Sequence, residues 1–222
     1  INQCFDNLNL TQPRLIEEIQ EEYVKAGCDV VETNTFGANR VNLSRYALAD
    51  RVRDINRAGA QIARSAAGPS VLVAGSMGPL STNVEPLGAV TCTEAEEAYR
   101  EQAGALIEGG VDLLILETFD QMEMLEAALA AVLPGKKVPV IAQISVNEDG
   151  RTTYGTSLEQ AIQFLNGTAA DVIGLNCTVG PAPMLDLLKK MVRLTDKPVS
   201  VQPNAGYPRH VGGRNIYMTT PE

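Results

Sequence analysis

The sequence predicts an α/β fold, a parallel (β/α)8 TIM barrel short of two strands, and three observations carry the prediction. Short apolar runs that read as strands buried on both faces alternate with amphipathic helical stretches along the chain. Six strands end in polar residues or cysteine: Glu32, Ser76, Glu117, Gln143, Cys177 and Asn204. These ends span 204 − 32 = 172 residues over five intervals, about 34 each, which suits βαβ units. No GxGxxG follows a strand, which argues against a dinucleotide-binding sheet. An open parallel sheet is the alternative.

At 222 residues the chain can form one large domain, or at most two small ones. Its 45% hydrophobic and 20% charged content is that of an ordinary globular protein and argues against disorder. The formal net charge is -9, without basic runs or an aromatic-basic stripe, so neither nucleic acid nor an anionic membrane is an expected partner. Four cysteines (Cys4, Cys28, Cys92, Cys177) lack CxxC spacing, which suits reduced thiols and a cytoplasmic setting. No apolar run reaches membrane-spanning length, and no signal peptide is visible. The chain begins at Ile1 rather than Met, so a longer parent protein is expected.

Thr11 is the expected N-cap of the first helix, with Pro13 in its first turn, where a missing N–H does no harm. Leu15, Ile16, Ile19 and Tyr23 recur at helical spacing, and Gly27 is a natural stop. Val30 and Val31 lead into Glu32-Thr33-Asn34-Thr35-Phe36-Gly37, a strand with a polar end. A second helix fills much of 50–67, and residues 71–74 form the next strand, ending in Gly75-Ser76-Met77-Gly78-Pro79. Thr93 and Glu96 match a capping box opening a helix with Tyr99, Ala103, Leu106 and Ile107 inside, closed by Gly109-Gly110.

Residues 113–116 are an unbroken apolar strand running into Glu117-Thr118-Phe119. Met124, Leu125, Ala128, Leu129 and Val132 mark a helix ended by Pro134-Gly135, and 138–144 is a strand that tolerates Pro139 only at its start. Ser157 and Gln160 form another capping box. Val172, Ile173 and Leu175 form the buried strand that stops at Asn176-Cys177. Met184, Leu187, Leu188, Met191 and Val192 give a helix stripe, with Lys189, Lys190 and Arg193 complementing the helix dipole. Residues 199–201 are the last clear strand; the tail is polar and irregular, with Thr220-Pro221-Glu222 resembling a helix start.

In a barrel these strand ends gather two carboxylates, a hydroxyl, amides and one thiol around a mouth. Cys177 is a possible thiolate nucleophile or soft metal ligand, or else a small buried hydrophobe. Glu117 follows four apolar residues, so its carboxylate sits at the rim of a packed core, where a substrate ammonium would answer the cost of burial. An ion pair with Lys or Arg, or plain hydration, would serve as well. The inward orientation of Glu32 is not set by alternation. His210, the only histidine, lies in the tail and reads as a surface residue, so a Ser-His-Asp or Cys-His mechanism is poorly supported.

Glu32-Thr33-Asn34-Thr35-Phe36-Gly37-Ala38-Asn39, Gly75-Ser76-Met77-Gly78-Pro79, Leu116-Glu117-Thr118-Phe119, Gly174-Leu175-Asn176-Cys177 and Pro203-Asn204-Ala205-Gly206 resemble successive motifs of the homocysteine S-methyltransferase family. The likeness covers essentially all of 1–222, one barrel domain truncated at both ends. It is nearest to the N-terminal module of bifunctional homocysteine S-methyltransferase/methylenetetrahydrofolate reductase, with cobalamin-dependent methionine synthase as the near alternative. The resemblance implies a zinc ion on three cysteine thiolates and methyl transfer to the homocysteine thiol, a step of methionine biosynthesis and one-carbon metabolism. Cys177 matches the first ligand, Glu117 the acid that binds the homocysteine amino group, and Asn204 an asparagine at the metal's open position. Asn34 and Ser76 lie in substrate-lining motifs. The implied donor is S-adenosylmethionine, S-methylmethionine or methylcobalamin, and a folate-reductase or cobalamin module in the same polypeptide is an implied partner.

One departure stands out. The family's other two ligands come from a Gly-Gly-Cys-Cys stretch that this chain does not contain, and its Asp-Gly-rich opening strand is also missing. Cys4, Cys28 and Cys92 do not match the missing ligands. The 222-residue chain is therefore expected to hold no specific zinc and to be inactive alone. Two other readings stay open: a non-enzymatic barrel used for binding or scaffolding, and a metal-free barrel enzyme using Glu32 and Glu117 as acid and base.

Overall fold

Strands and helices alternate as the apolar pattern requires. The computed structural model describes residues 4–206 and 209–217. The long strands follow one another in sheet order, β1 (Val30–Glu32), β2 (Leu72–Met77), β3 (Leu113–Phe119), β4 (Val140–Ile144), β5 (Val172–Asn176) and β6 (Val199–Gln202). This order has no reversal of the kind that makes the switch point of a doubly wound sheet, and it is the order of a barrel wall. The fold is the incomplete α/β barrel that the sequence predicts. Two compact units divide it: Ile1–Leu116 with Glu123–Val140, and Glu117–Met122 with Ile141–Glu222.

In the first unit β1, β2 and β3 are parallel, with Val31 opposite Val73 and Gly75 opposite Leu114. Helices α1 (Leu8–Thr11), α2 (Pro13–Lys25), α3 (Arg40–Ser44), α4 (Val52–Ala67), α5 (Cys92–Gly109) and α6 (Met122–Val132) accompany them. Its core is built from Ile55, Ala60 and Ala63 of α4, Tyr99 and Leu106 of α5, and Leu114 and Leu116 of β3. A Cβ on Gly109 would lie 2.5 Å from that of Ala60, so α4 and α5 need a glycine at this contact.

The structure differs from the sequence expectation at α2 and α5. Gln12, not Thr11, precedes α2; Thr11 closes α1 and donates its hydroxyl to the Asn7 carbonyl four residues back, so it is unavailable as a cap. On α2 the buried positions are Ile16 and Gln20, while Leu15, Ile19 and Tyr23 face outward. The Gln20 amide donates to Glu32 O at 3.0 Å, which turns that face of the helix toward the strand. The capping box of α5 is Thr91 with Glu94. Thr91 has the extended backbone a cap requires, whereas Thr93 already lies inside the helix.

In the second unit β4, β5 and β6 are parallel, Gly174 standing opposite both Gln143 and Ser200. Helix α7 (Leu158–Asn166) opens on the Ser157/Gln160 capping box, and α8 (Pro181–Met191) buries Met184, Leu187 and Met191. Val192, expected on that stripe, is the exposed C-cap. The tail is not irregular throughout: β7 (Arg209–Val211) and β8 (Arg214–Ile216) form a hairpin. Gly212 and Gly213, at φ 58° and 79°, supply the left-handed pair that a two-residue turn needs. The helix start expected at 220–222 lies outside the described residues. No helix among the described residues is long and apolar enough to cross a membrane.

Candidate active site

The ends of β3 and β5 meet in the second unit. Four buried residues, Leu113, Leu114, Ile115 and Leu116, precede Glu117, which is half-buried. Thr118 then takes φ 66°, left-handed backbone that is rare for a β-branched residue. Asn176, the buried last residue of β5, grips this kink. Its Oδ1 accepts from Thr118 N–H at 2.7 Å, and its Nδ2 donates to Thr118 Oγ1 at 2.8 Å and to Glu117 Oε2 at 3.4 Å. Ser145 fastens the same junction, its N–H donating to Phe119 O and its hydroxyl to Asn176 O, both at 2.8 Å.

Cys177 follows directly, partly buried, with φ 59°. Its N–H donates to Gln202 O at 3.0 Å, extending the β5–β6 ladder by one residue. Thr178 at φ 61° then forms a γ-turn, in which Val179 N–H reaches back to Cys177 O at 2.6 Å. Val179 O accepts from Asn204 N–H at 2.9 Å, and a Cβ on Gly180 would lie 3.2 Å from Gly206 Cα. The turn after β5 is thus laced to the segment after β6, bringing Asn204 against the turn that carries Cys177. Four non-glycine residues among those described have positive φ, and three of them (Thr118, Cys177, Thr178) lie at these two strand ends. Each such residue costs about 1–3 kcal/mol and persists only where its surroundings hold it.

One layer deeper the interior is polar. The buried Gln143 side chain passes over Gly174 and donates to Ser200 Oγ at 2.9 Å. Its carbonyl oxygen has no hydrogen-bond partner among the described residues.

In the first unit the strand ends form their own network. Thr33 Oγ1 accepts from Ser76 N–H at 3.0 Å, and Thr35 Oγ1 donates to Ser76 O at 2.8 Å, so Ser76 is held by its main chain. Asn34 uses its side-chain amide to donate to Phe5 O at 2.9 Å and to Asn9 Oδ1 at 3.1 Å, tying the N-terminal segment to the loop after β1. Asp6 accepts from Gly37 N–H at 2.9 Å; burial pushes its carboxyl above the usual range. Cys4, beside Asp6, is buried, and burial raises its thiol.

The structure bonds Glu117 to Asn176, the residue before Cys177, and ties the Asn204 main chain to Val179, two residues after it; Asn34 and Ser76 lie in the network of the other unit. His210 lies on the exposed hairpin strand β7. The sequence reading gave no role to Asn176, Thr118, Ser145 or Asp6. Only Asn176 carried a signal, a polar residue closing an apolar run. Among the described residues no group of three or more His, Cys, Asp or Glu is disposed to hold a metal ion.

Comparison with known proteins gives the family. The family described as homocysteine S-methyltransferase matches residues 2–222. Methionine synthase of Mycobacterium tuberculosis (strain ATCC 25618 / H37Rv) is 38% identical over 216 residues, covering 92% of this chain and 18% of that protein. Methionine synthase of Mycobacterium leprae (strain TN) is 37% identical over the same length and the same shares. The chain thus spans less than a fifth of the length of these two relatives. Among solved structures, the metallated homocysteine methyltransferase MmuM of Escherichia coli superposes with a TM-score of 0.79 at 21% identity, over 90% of this chain and 75% of that one, a likeness of fold.

Proposed function

Because the chain belongs to the homocysteine S-methyltransferase family, we propose that it supplies the acceptor site of a methyltransferase that converts homocysteine to methionine. The observation that carries this reading is the array of Glu117, Asn176 and Cys177, a half-buried carboxylate and a thiol on two strand ends joined by one amide. A carboxylate with little water binds a cation through short, charge-assisted hydrogen bonds, and the α-ammonium of an amino acid supplies that cation. With the ammonium on Glu117, the acceptor sulfur lies toward Cys177, and Asn204 lines that end. For Asn34 and Ser76 a substrate-binding role is proposed on their motifs alone.

In the transfer, the acceptor thiolate attacks the methyl carbon. The new S–C bond forms as the methyl–donor bond breaks, its electron pair leaves with the donor, and the thiol proton passes to solvent. S-adenosylmethionine, S-methylmethionine and methylcobalamin each satisfy that balance. The protein's part is orientation: a fixed carboxylate and fixed strand ends turn an encounter into an aligned attack.

Zinc is proposed as the group that keeps the sulfur ionised at neutral pH, as zinc does for coordinated thiols. The described residues provide one thiolate of the donor set, Cys177, and so do not fit the metal by themselves. Metal analysis of the purified 222-residue chain is expected to find far less than one zinc per chain, and stoichiometric retention would overturn that expectation. Four free cysteines agree with the proposed cytoplasmic setting.

The deciding experiment incubates the full-length protein with homocysteine and each donor class and measures methionine by mass spectrometry. Methionine from at least one donor is expected. Homocysteine binding with no methyl transfer from any donor would favour the non-enzymatic reading.

A further inference from the structure

Asn176 spends its side chain on the end of β3 and its main chain on the turn that carries Cys177. The amide brackets Thr118 and reaches Glu117 Oε2, while the Asn176 carbonyl accepts from Ser145 Oγ. The next peptide N–H, that of Cys177, is held by Gln202 O. Asn176 is buried, so water competes weakly for these bonds. Left-handed backbone at Thr118 and at Cys177 locks the two strand ends from either side.

We propose that Asn176 is a positioning residue that sets the reach between the Glu117 carboxylate and the Cys177 thiol, and with it the chain length of the amino-thiol acceptor. This rests on the functional reading above, in which the carboxylate takes the ammonium and the sulfur lies toward Cys177. One buried residue thus holds the carboxylate through its amide and carries the thiol on the next position of its own main chain, so the two cannot adjust separately to a ligand. Homocysteine and cysteine differ by one methylene between Cα and sulfur, a change in reach of about 1.5 Å, one carbon–carbon bond. A rigid pair of anchors separates ligands that differ so little, whereas a loosened pair accommodates both.

Isothermal titration calorimetry on the full-length protein tests this with homocysteine, cysteine and 4-mercaptobutyrate; the last keeps the sulfur reach and lacks the ammonium. Asn176→Ala is expected to weaken homocysteine roughly 10-fold, the effect of one charge-assisted contact, and to lower the preference for homocysteine over cysteine by a similar factor. Binding of 4-mercaptobutyrate is expected to change by less than about 2-fold, because no ammonium engages Glu117. Asn176→Leu keeps the size of the side chain, loses every bond of the amide without adding a charge, and is expected to show the same pattern; it serves if the alanine variant does not fold. Ser145→Ala removes the bond to the Asn176 carbonyl and is expected to give a smaller shift of the same kind. An equal loss for all three ligands or an unchanged preference overturns the proposal. A wild-type protein that fails to bind homocysteine overturns the functional reading itself, and the proposal falls with it.

Discussion

Asn176 and Thr118 hold each other through two hydrogen bonds, Thr118 N–H to Asn176 Oδ1 at 2.7 Å and Asn176 Nδ2 to Thr118 Oγ1 at 2.8 Å. The pair secures a φ of 66° that a threonine does not adopt by preference. Two substitutions separate the bond from the strain. Thr118→Val keeps the strained backbone and loses the hydroxyl, and should cost about 1–2 kcal/mol for the unanswered amide. Thr118→Gly loses the same bond but accepts positive φ freely, so relief of strain should offset much of that cost, leaving it within about 1 kcal/mol of wild type. Urea denaturation with matched slopes checks the order. A glycine variant less stable than the valine variant would show that no strain resides at Thr118.

Glu117→Gln tests the carboxylate without altering its size. The neutral amide can still accept a hydrogen bond from Asn176 but no longer balances an ammonium. Homocysteine affinity in the full-length protein should fall by roughly 1.5–3 kcal/mol, about 10- to 150-fold, the worth of a hydrogen bond to a charged group. Stability in urea should change little, since the side chain is half-buried rather than enclosed. Calorimetric affinity equal to wild type would remove Glu117 from the site.

Asp6 gives a pH signature in the other unit. Burial raises its carboxyl in the folded state, against the pull of the Gly37 N–H that it accepts. The native state then holds the proton more tightly than the unfolded chain, whose value is about 3.9. The associated stability is present below that unfolded value and is lost as pH rises through the folded one. Asp6→Asn keeps an acceptor for Gly37 and removes the titration. The variant should gain on wild type as pH rises above about 4 and show a constant difference below about 3. Thermal melts between those values and neutrality check the sign; a variant that loses ground with rising pH would contradict it.

The repeating frame was legible because burial on both faces writes strands as unbroken apolar runs. Residues 113–116 and 172–175 both became strands, β3 and β5, and the Ser157/Gln160 box opened α7 as read. Glu117 and Cys177 stood out because each closes such a run. What the pattern could not show was rotation and register. Thr91 and Thr93 each precede a glutamate by three residues, and only the extended backbone at Thr91 decides between them. The α2 stripe failed because two helix faces were apolar enough to be the inner one, and the bond from Gln20 to Glu32 O selected the more polar. Thr118 was invisible as a site residue: its unusual backbone depends on Asn176, 58 positions away, and nothing local announces it.

Gly174 is where the polar interior and the strand backbone compete for one space. A Cβ there would lie 2.4 Å from Ser200 O and 3.0 Å from Gln143 Cγ. The first neighbour is main chain of β6 and cannot turn aside; the second belongs to a side chain that can. Gly174→Ala should therefore part β5 from β6, at a cost of about 1–3 kcal/mol for overpacking. Removing the movable neighbour in Gly174→Ala/Gln143→Ala should not restore the loss, because the clash with Ser200 O is untouched. Loss of the Gln143–Ser200 bond would add to it. Thermal melts of the two single variants and the double variant check this, and a double variant more stable than Gly174→Ala would show that the glutamine side chain, not the neighbouring strand, demands the glycine.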